Sequence, residues 1–104
     1  MKLITKVIEK KLLNTPLYST DGNTVKDVLV KFFNPCGAGT WYVFEAEKKG
    51  NDWEFFGLVD LYEKELGYFT LSELESIRLP FGLSIERDKY FNNYKYNCET
   101  GEFE

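Results

Sequence analysis

Histidine is absent from this 104-residue chain, and its absence removes a large block of chemistry at once. Without imidazole there is no Ser-His-Asp or Cys-His relay and no histidine-liganded zinc. Cysteine is scarce. Cys36 and Cys98 are the only two, too far apart for a Cys-x-x-Cys motif, and in a chain with no secretory leader they read as reduced thiols. No apolar run approaches the ~18 residues that a bilayer span requires. The opening Met1-Lys2-Leu3-Ile4-Thr5-Lys6 is interrupted by charge too often to form a signal-peptide core. A cytoplasmic protein with no membrane partner is expected.

An excess of positive charge is also missing. Residues 1–31 carry six Lys against Glu9, Asp21 and Asp27, which gives +3. The remainder carries seven basic against fourteen acidic residues, which gives −7, and the two segments sum to the net −4. Most of the chain therefore repels a phosphate backbone, which argues against direct nucleic-acid binding. The lysines of the first segment read as a solvated helix face.

What the chain does hold is apolar and aromatic. It is 43% hydrophobic and 17% aromatic, with nine Phe and seven Tyr. That composition suits one globular domain with an aromatic, sheet-based core, burying about two-thirds of its unfolded surface. There is no internal repeat, low-complexity tract or interdomain linker. The expected fold is α+β: a small, mainly antiparallel sheet of about four strands, an N-terminal helix, and a second helix after the third strand. Residues 1–91 form the expected domain, and residues 92–104 read as an acidic, flexible tail.

Residues 4–14 place Ile4, Val7 or Ile8, and Leu12 at helical spacing, with Thr5 as N-cap and Pro16 as a stop. Thr15–Thr24, containing Asp21-Gly22-Asn23, reads as a turn-rich loop. Val28 to Phe33 is apolar on both faces apart from Lys31, the mark of an interior strand. After the Asn34–Gly39 turn, Trp41–Glu47 and Trp53–Leu61 form a hairpin through the five residues Lys48–Asp52. Pairing Trp41 with Val59, Val43 with Gly57, Glu45 with Phe55 and Glu47 with Trp53 puts Tyr42, Phe44, Phe56 and Leu58 on one face. The opposite face carries Trp41, Val43, Trp53, Phe55 and Val59, with Glu45 and Glu47 among them. A helix covering this second face is the preferred reading; the other is an aromatic interaction surface edged by carboxylates.

Thr70 and Glu73 fit a capping box, followed by the apolar stripe Leu71, Leu74, Ile77 and the stop Pro80. Gly82–Ile85 reads as an extended segment. Gly37-Ala38-Gly39-Thr40 lacks the spacing and the lysine of a phosphate loop and reads as a turn before a strand. Cys36 has no cationic sequence neighbour to activate it.

Carboxylates remain as the only catalytic candidates. Asp60, Glu63 and Glu65 cluster after the Trp53–Leu61 strand, and Glu86 and Asp88 flank Arg87. Asp60, Glu63, Glu86 and Asp88 are the minimum equipment of a small Mg2+-dependent hydrolase or nuclease. In an extended segment Glu86 and Asp88 share a face while Arg87 points away, free to clamp Asp60 or Glu63. A structural ion-pair network accounts for the same residues and is the preferred reading.

From the first helix to Phe91 the chain resembles the bacterial domain-of-unknown-function family 2958. The matching stretches are Lys31-Phe32-Phe33-Asn34-Pro35, Thr40-Trp41-Tyr42, Phe56-Gly57-Leu58-Val59-Asp60, Glu65-Leu66-Gly67-Tyr68-Phe69, Leu71-Ser72-Glu73-Leu74-Glu75 and Ile85-Glu86-Arg87-Asp88. Leu61 and Ser84 depart from the Gly and Pro of the family pattern. The resemblance implies plasmids, phages and conjugative elements, beside DNA-handling or antirestriction genes, and supplies no catalytic residue. The expectation that follows is a non-enzymatic binding protein of a mobile element, an anti-CRISPR or antirestriction inhibitor of a nucleic-acid-processing protein such as a nuclease. Its expected binding residues are Trp41, Glu45, Trp53, Phe55, Asp60, Glu63, Glu65, Glu86, Arg87 and Asp88, and it needs no cofactor. The metal-dependent hydrolase is the alternative.

Overall fold

The computed structural model describes residues 2–104. Its N-terminal helix α1 spans Lys6–Leu13. Thr5 caps it, its hydroxyl accepting from the Ile8 amide at 3.3 Å. Leu12 is fully buried and Ile8 packs against the core, whereas Val7 is exposed; of the two candidates for that turn, the stripe runs through Ile8.

Two antiparallel sheets follow, so the architecture is α+β with more strands than the four expected. The larger sheet has the order β5-β4-β3-β2-β6, from β2 (Val30–Phe33), β3 (Thr40–Lys49), β4 (Asp52–Asp60), β5 (Lys64–Thr70) and β6 (Glu86–Arg87). The smaller sheet has the order β1-β7-β8, from β1 (Val25–Asp27), β7 (Lys95–Asn97) and β8 (Glu102–Phe103). Helix α2 (Leu71–Ser76) follows β5 directly.

One face of the larger sheet carries Phe32, Trp41, Val43, Trp53, Phe55 and Phe69, which pack with Leu12 of α1 and Leu74 of α2 in a continuous core. The covering element expected for the tryptophan face is therefore present as two helices. The opposite face offers Tyr42, Phe44 and Leu58 to Val28 and Tyr96 in a second core, extended by Phe91, Tyr94 and Phe103. The Phe44 and Tyr96 rings stack at 5.8 Å, and Tyr42 lies 4.7 Å from Phe103.

Four sequence expectations are corrected here. Residues 92–104 are not a tail: they supply β7 and β8, because Tyr94, Tyr96 and Phe103 cover an aromatic face that would otherwise meet water. The segment 28–33 is not one strand. The backbone changes sheets at Val28-Leu29, β1 pairing with β7 and β2 with β3 and β6. The acidic stretch after Asp60 is a turn of three residues and then a strand, since Glu65 lies within β5 opposite Val59. Finally, the hairpin turn is shorter than five residues: Lys49 pairs with Asp52, and Gly50 takes the left-handed φ of 63°.

The hairpin register holds for half its length. Trp41 pairs with Val59 and Val43 with Gly57, as expected, but Glu45 then pairs with Phe56 and Glu47 with Glu54. A bulge at Phe44 causes the slip, placing one extra residue on β3. It is permitted by Gly57, where an added Cβ would lie 1.8 Å from the Tyr42 carbonyl oxygen. Glu45 is thereby turned away from the tryptophans.

Candidate functional site

Glu45 is almost fully buried, and its carboxylate has a local task. It accepts from the Tyr18 amide at 2.7 Å, from the Thr20 amide at 3.0 Å and from the Thr20 hydroxyl. The ammonium of Lys26, also buried, donates to the Thr20 carbonyl at 2.6 Å and hydroxyl at 2.7 Å. This chain of charge-assisted bonds ties the 15–24 loop to both sheets, a buried pair of charges made tolerable by full hydrogen bonding. Trp41, Trp53 and Phe55 are likewise interior. These four expected binding residues present no surface to a partner.

The remaining expected residues gather at one end of the larger sheet without converging. Asp60 pairs with Thr40, Thr40 with Phe33 and Phe33 with Glu86, a row across four strands. Three spacings of ~4.8 Å put the Asp60 and Glu86 backbones about 14 Å apart. Glu86 and Asp88 do share a face, as expected. Asp88 pairs with Lys31 at 3.4 Å and receives the Tyr90 amide at 2.9 Å. Arg87 lies on the opposite, helix-covered face, opposite Phe32, and donates to the carbonyls of Lys2 and Leu3. It tethers the start of the chain instead of clamping Asp60. Glu63 is exposed in the β4–β5 turn, and Glu65 is exposed on β5. Among the described residues no three Asp, Glu or Cys side chains are placed to hold a metal ion.

Between Asp60 and Asp88 sits Tyr42. Burial, then the charges of Asp60 and then Asp88, push its hydroxyl pKa up. Lys31 lies over its ring at 5.7 Å. Burial foremost, and these carboxylates after it, favour the neutral phenol at this core boundary.

Sequence reasoning missed the aromatic residues exposed at this same end. The Asn34–Gly39 loop, the 61–63 turn and the 79–85 segment meet there, as the Cys36 sulfur near the Pro80 carbonyl (4.0 Å) and Gly39 near Leu61 and Trp41 show. Tyr62 is 94% and Phe81 96% exposed, with Leu61 and Leu83 beside them in sequence. Phe81 has φ 62° and ψ 25°, a left-handed conformation that costs a bulky residue roughly 1–2 kcal/mol. The Leu79 amide to the Leu83 carbonyl (3.1 Å) and the Leu83 amide to the Pro80 carbonyl (3.2 Å) close the loop around it. The Pro80-Phe81-Gly82 sequence was the signal: a large apolar residue between two turn formers.

From this end along β5 to α2 at the other, the acid is concentrated. Asp60 to Glu75, covering β5 and the first turns of α2, carries Asp60, Glu63, Glu65, Glu73 and Glu75 against Lys64 alone, five acids and one base, a net −4. All but Asp60 are exposed. Dispersed carboxylates of this kind present a charged surface.

A family model described as a protein of unknown function, DUF2958, matches residues 3–97. The chain belongs to that family. In this DUF2958 member the matched region runs past Phe91 through β7, consistent with the second sheet being part of the domain. No curated protein and no solved structure matches the chain.

Proposed function

We propose that this is a non-enzymatic protein-binding domain whose acidic flank occupies the basic channel of a nucleic-acid-processing protein. Its carboxylates stand in for phosphates, the action of an anti-CRISPR or antirestriction inhibitor of a phage or plasmid. One observation carries the reading: exposed Glu63 and Glu65 lie at the same end of the sheet as exposed Tyr62 and Phe81, so charge for steering and apolar anchors for affinity lie together. A strained, outward Phe81 is hard to account for by stability alone.

The test is protection of plasmid and phage DNA in hosts carrying restriction or CRISPR systems, with a purified nuclease assay for any system that is blocked. Inhibition that weakens with salt, is lost in Glu63→Lys/Glu65→Lys/Glu73→Lys and is reduced at least tenfold in Phe81→Asn is expected. Asn accepts the left-handed conformation, so that variant folds at least as well as the parent. Absence of both protection and nuclease binding overturns the proposal. The metal-dependent hydrolase has no comparable support, because two strands lie between Asp60 and Glu86, whose backbones are about 14 Å apart. It would require Mg2+- or Mn2+-dependent turnover abolished by Asp60→Asn with Glu86→Gln.

A further inference from the structure

The larger sheet ends on β5, a seven-residue edge strand with no proline and no bulge. Natural edges are blunted by short length, kinks or inward charge. Here charge occupies only the first half, Lys64 and Glu65, and Leu66 to Thr70 is neutral. On the face shared with Phe56, Leu66 is 46% and Tyr68 51% exposed, and Tyr68 lies 5.0 Å from the Phe56 ring and 6.5 Å from Tyr18. Helix α2 packs mainly on β4 with Leu74 in the core, and among the described residues no strand pairs with the outer side of β5.

We propose that this edge pairs with the same edge of a second copy, antiparallel about Gly67, joining two five-stranded sheets into one. The sequence of β5 is self-complementary in that register. Gly67 meets Gly67 at the two-fold axis, Leu66 meets Tyr68 twice, Glu65 meets Phe69 and Lys64 meets Thr70. No two like charges lie directly opposite. A register centred on Leu66 would instead set Lys64 against Tyr68 and Glu65 against Gly67, splitting the apolar pairs. An added Cβ at Gly67 meets nothing within 4 Å, so the axis is unobstructed. Each copy carries a net charge of −4, so salt strengthens this contact, whereas it weakens the charge-steered binding proposed above; the two are separable on that axis.

Sedimentation of the full chain across concentration tests the pairing. A monomer–dimer equilibrium with a dissociation constant on the order of 10–100 μM, tightening with salt, is expected for so small an interface. Leu66→Glu and Tyr68→Lys alone give monomers, and mixing the two restores a heterodimer through Glu–Lys pairing at opposed positions. Gly67→Cys in a Cys36→Ser background forms a disulfide-linked dimer on oxidation, and Cys36→Ser alone does not. A chain monomeric throughout that range, or a dimer that neither crosslinks at position 67 nor responds to the charge pair, overturns the inference. Circular dichroism of each variant confirms folding, and crosslinking at Gly67→Cys, which leaves both side chains in place, stands if Tyr68→Lys fails to fold.

Discussion

Gly57 shows how much a single position decides. No side chain fits there, because the Phe44 bulge drives the Tyr42 carbonyl against its Cα, leaving 1.8 Å where a Cβ would sit. The bulge in turn sends Phe44 and Glu45 to the same side of β3, one into the second core and the other to the Tyr18–Thr20 backbone. Gly57→Ala therefore has to undo the bulge or part the strands. A loss of at least about 2 kcal/mol in chemical denaturation is expected, far above the few tenths typical of Gly→Ala on an open strand. Gly67→Ala, ten residues along with open space at its Cβ, is the control and changes stability little.

At the scale of elements, the caps were legible and the registers only partly so. Thr5 and Thr70 announce α1 and α2 because a cap is a local contract between residues three apart, and both hydroxyls accept the expected amides. Glu73 departs from the capping box in one respect: its carboxylate accepts from the Thr70 hydroxyl at 3.1 Å. The partner that fastens α2 to the sheet comes from twenty residues upstream and gave no local sign. Asp52, at the start of β4, accepts from the Ser72 hydroxyl at 2.7 Å, the Ser72 amide at 3.0 Å and the Trp53 amide at 2.8 Å. The Ser72 hydroxyl, foremost, holds its pKa below the ordinary value of 3.8. A depressed carboxylate stabilises above its unfolded pKa and loses that contribution as pH falls through its folded value. Asp52→Ala is expected to cost about 1 kcal/mol at neutral pH. The difference between parent and variant should shrink as pH drops below ~4, measured by thermal unfolding in a pH series.

Across the whole molecule, two aromatic layers share one sheet, and the sequence revealed both faces but the cover of only one. Alternation along β3 and β4 revealed Tyr42, Phe44, Phe56 and Leu58 as a second apolar face. What covers it was hidden, since Asn-rich, acidic residues 92–104 look like a tail until Tyr94, Tyr96 and Phe103 are seen together. The candidate site was legible in outline: the charged ends around Asp60 and Glu86 do lie at one end of the sheet. Its exposed aromatic residues were not, because Tyr62 and Phe81 follow no periodicity. The tyrosines of the second layer, buried or half-buried, have a measurable consequence. Burial raises the hydroxyl pKa of Tyr42, Tyr96 and Tyr94, the last to about 12. A phenol whose pKa is raised on folding adds stability below its unfolded value near 10, and that contribution disappears as pH climbs through its folded value. Stability should hold to about pH 10 and then fall steeply toward 12, with tyrosinate absorbance rising in the same window as the fold is lost. Tyr94→Phe shifts that limb upward.

The change of sheets at Val28-Leu29 sets an order in time. Val25 pairs with Asn97, 72 positions away, whereas β2 to β5 form from neighbours along the chain. Loop closure taxes distant pairing, so the helix-backed sheet assembles first and the β1-β7-β8 sheet arrives last. A nascent chain that has emerged only as far as α2 thus holds a formed sheet with Tyr42, Phe44 and Leu58 bare on one side. Strands β7 and β8 then close over that face, and the interval before they arrive is when this domain is most exposed to misassociation.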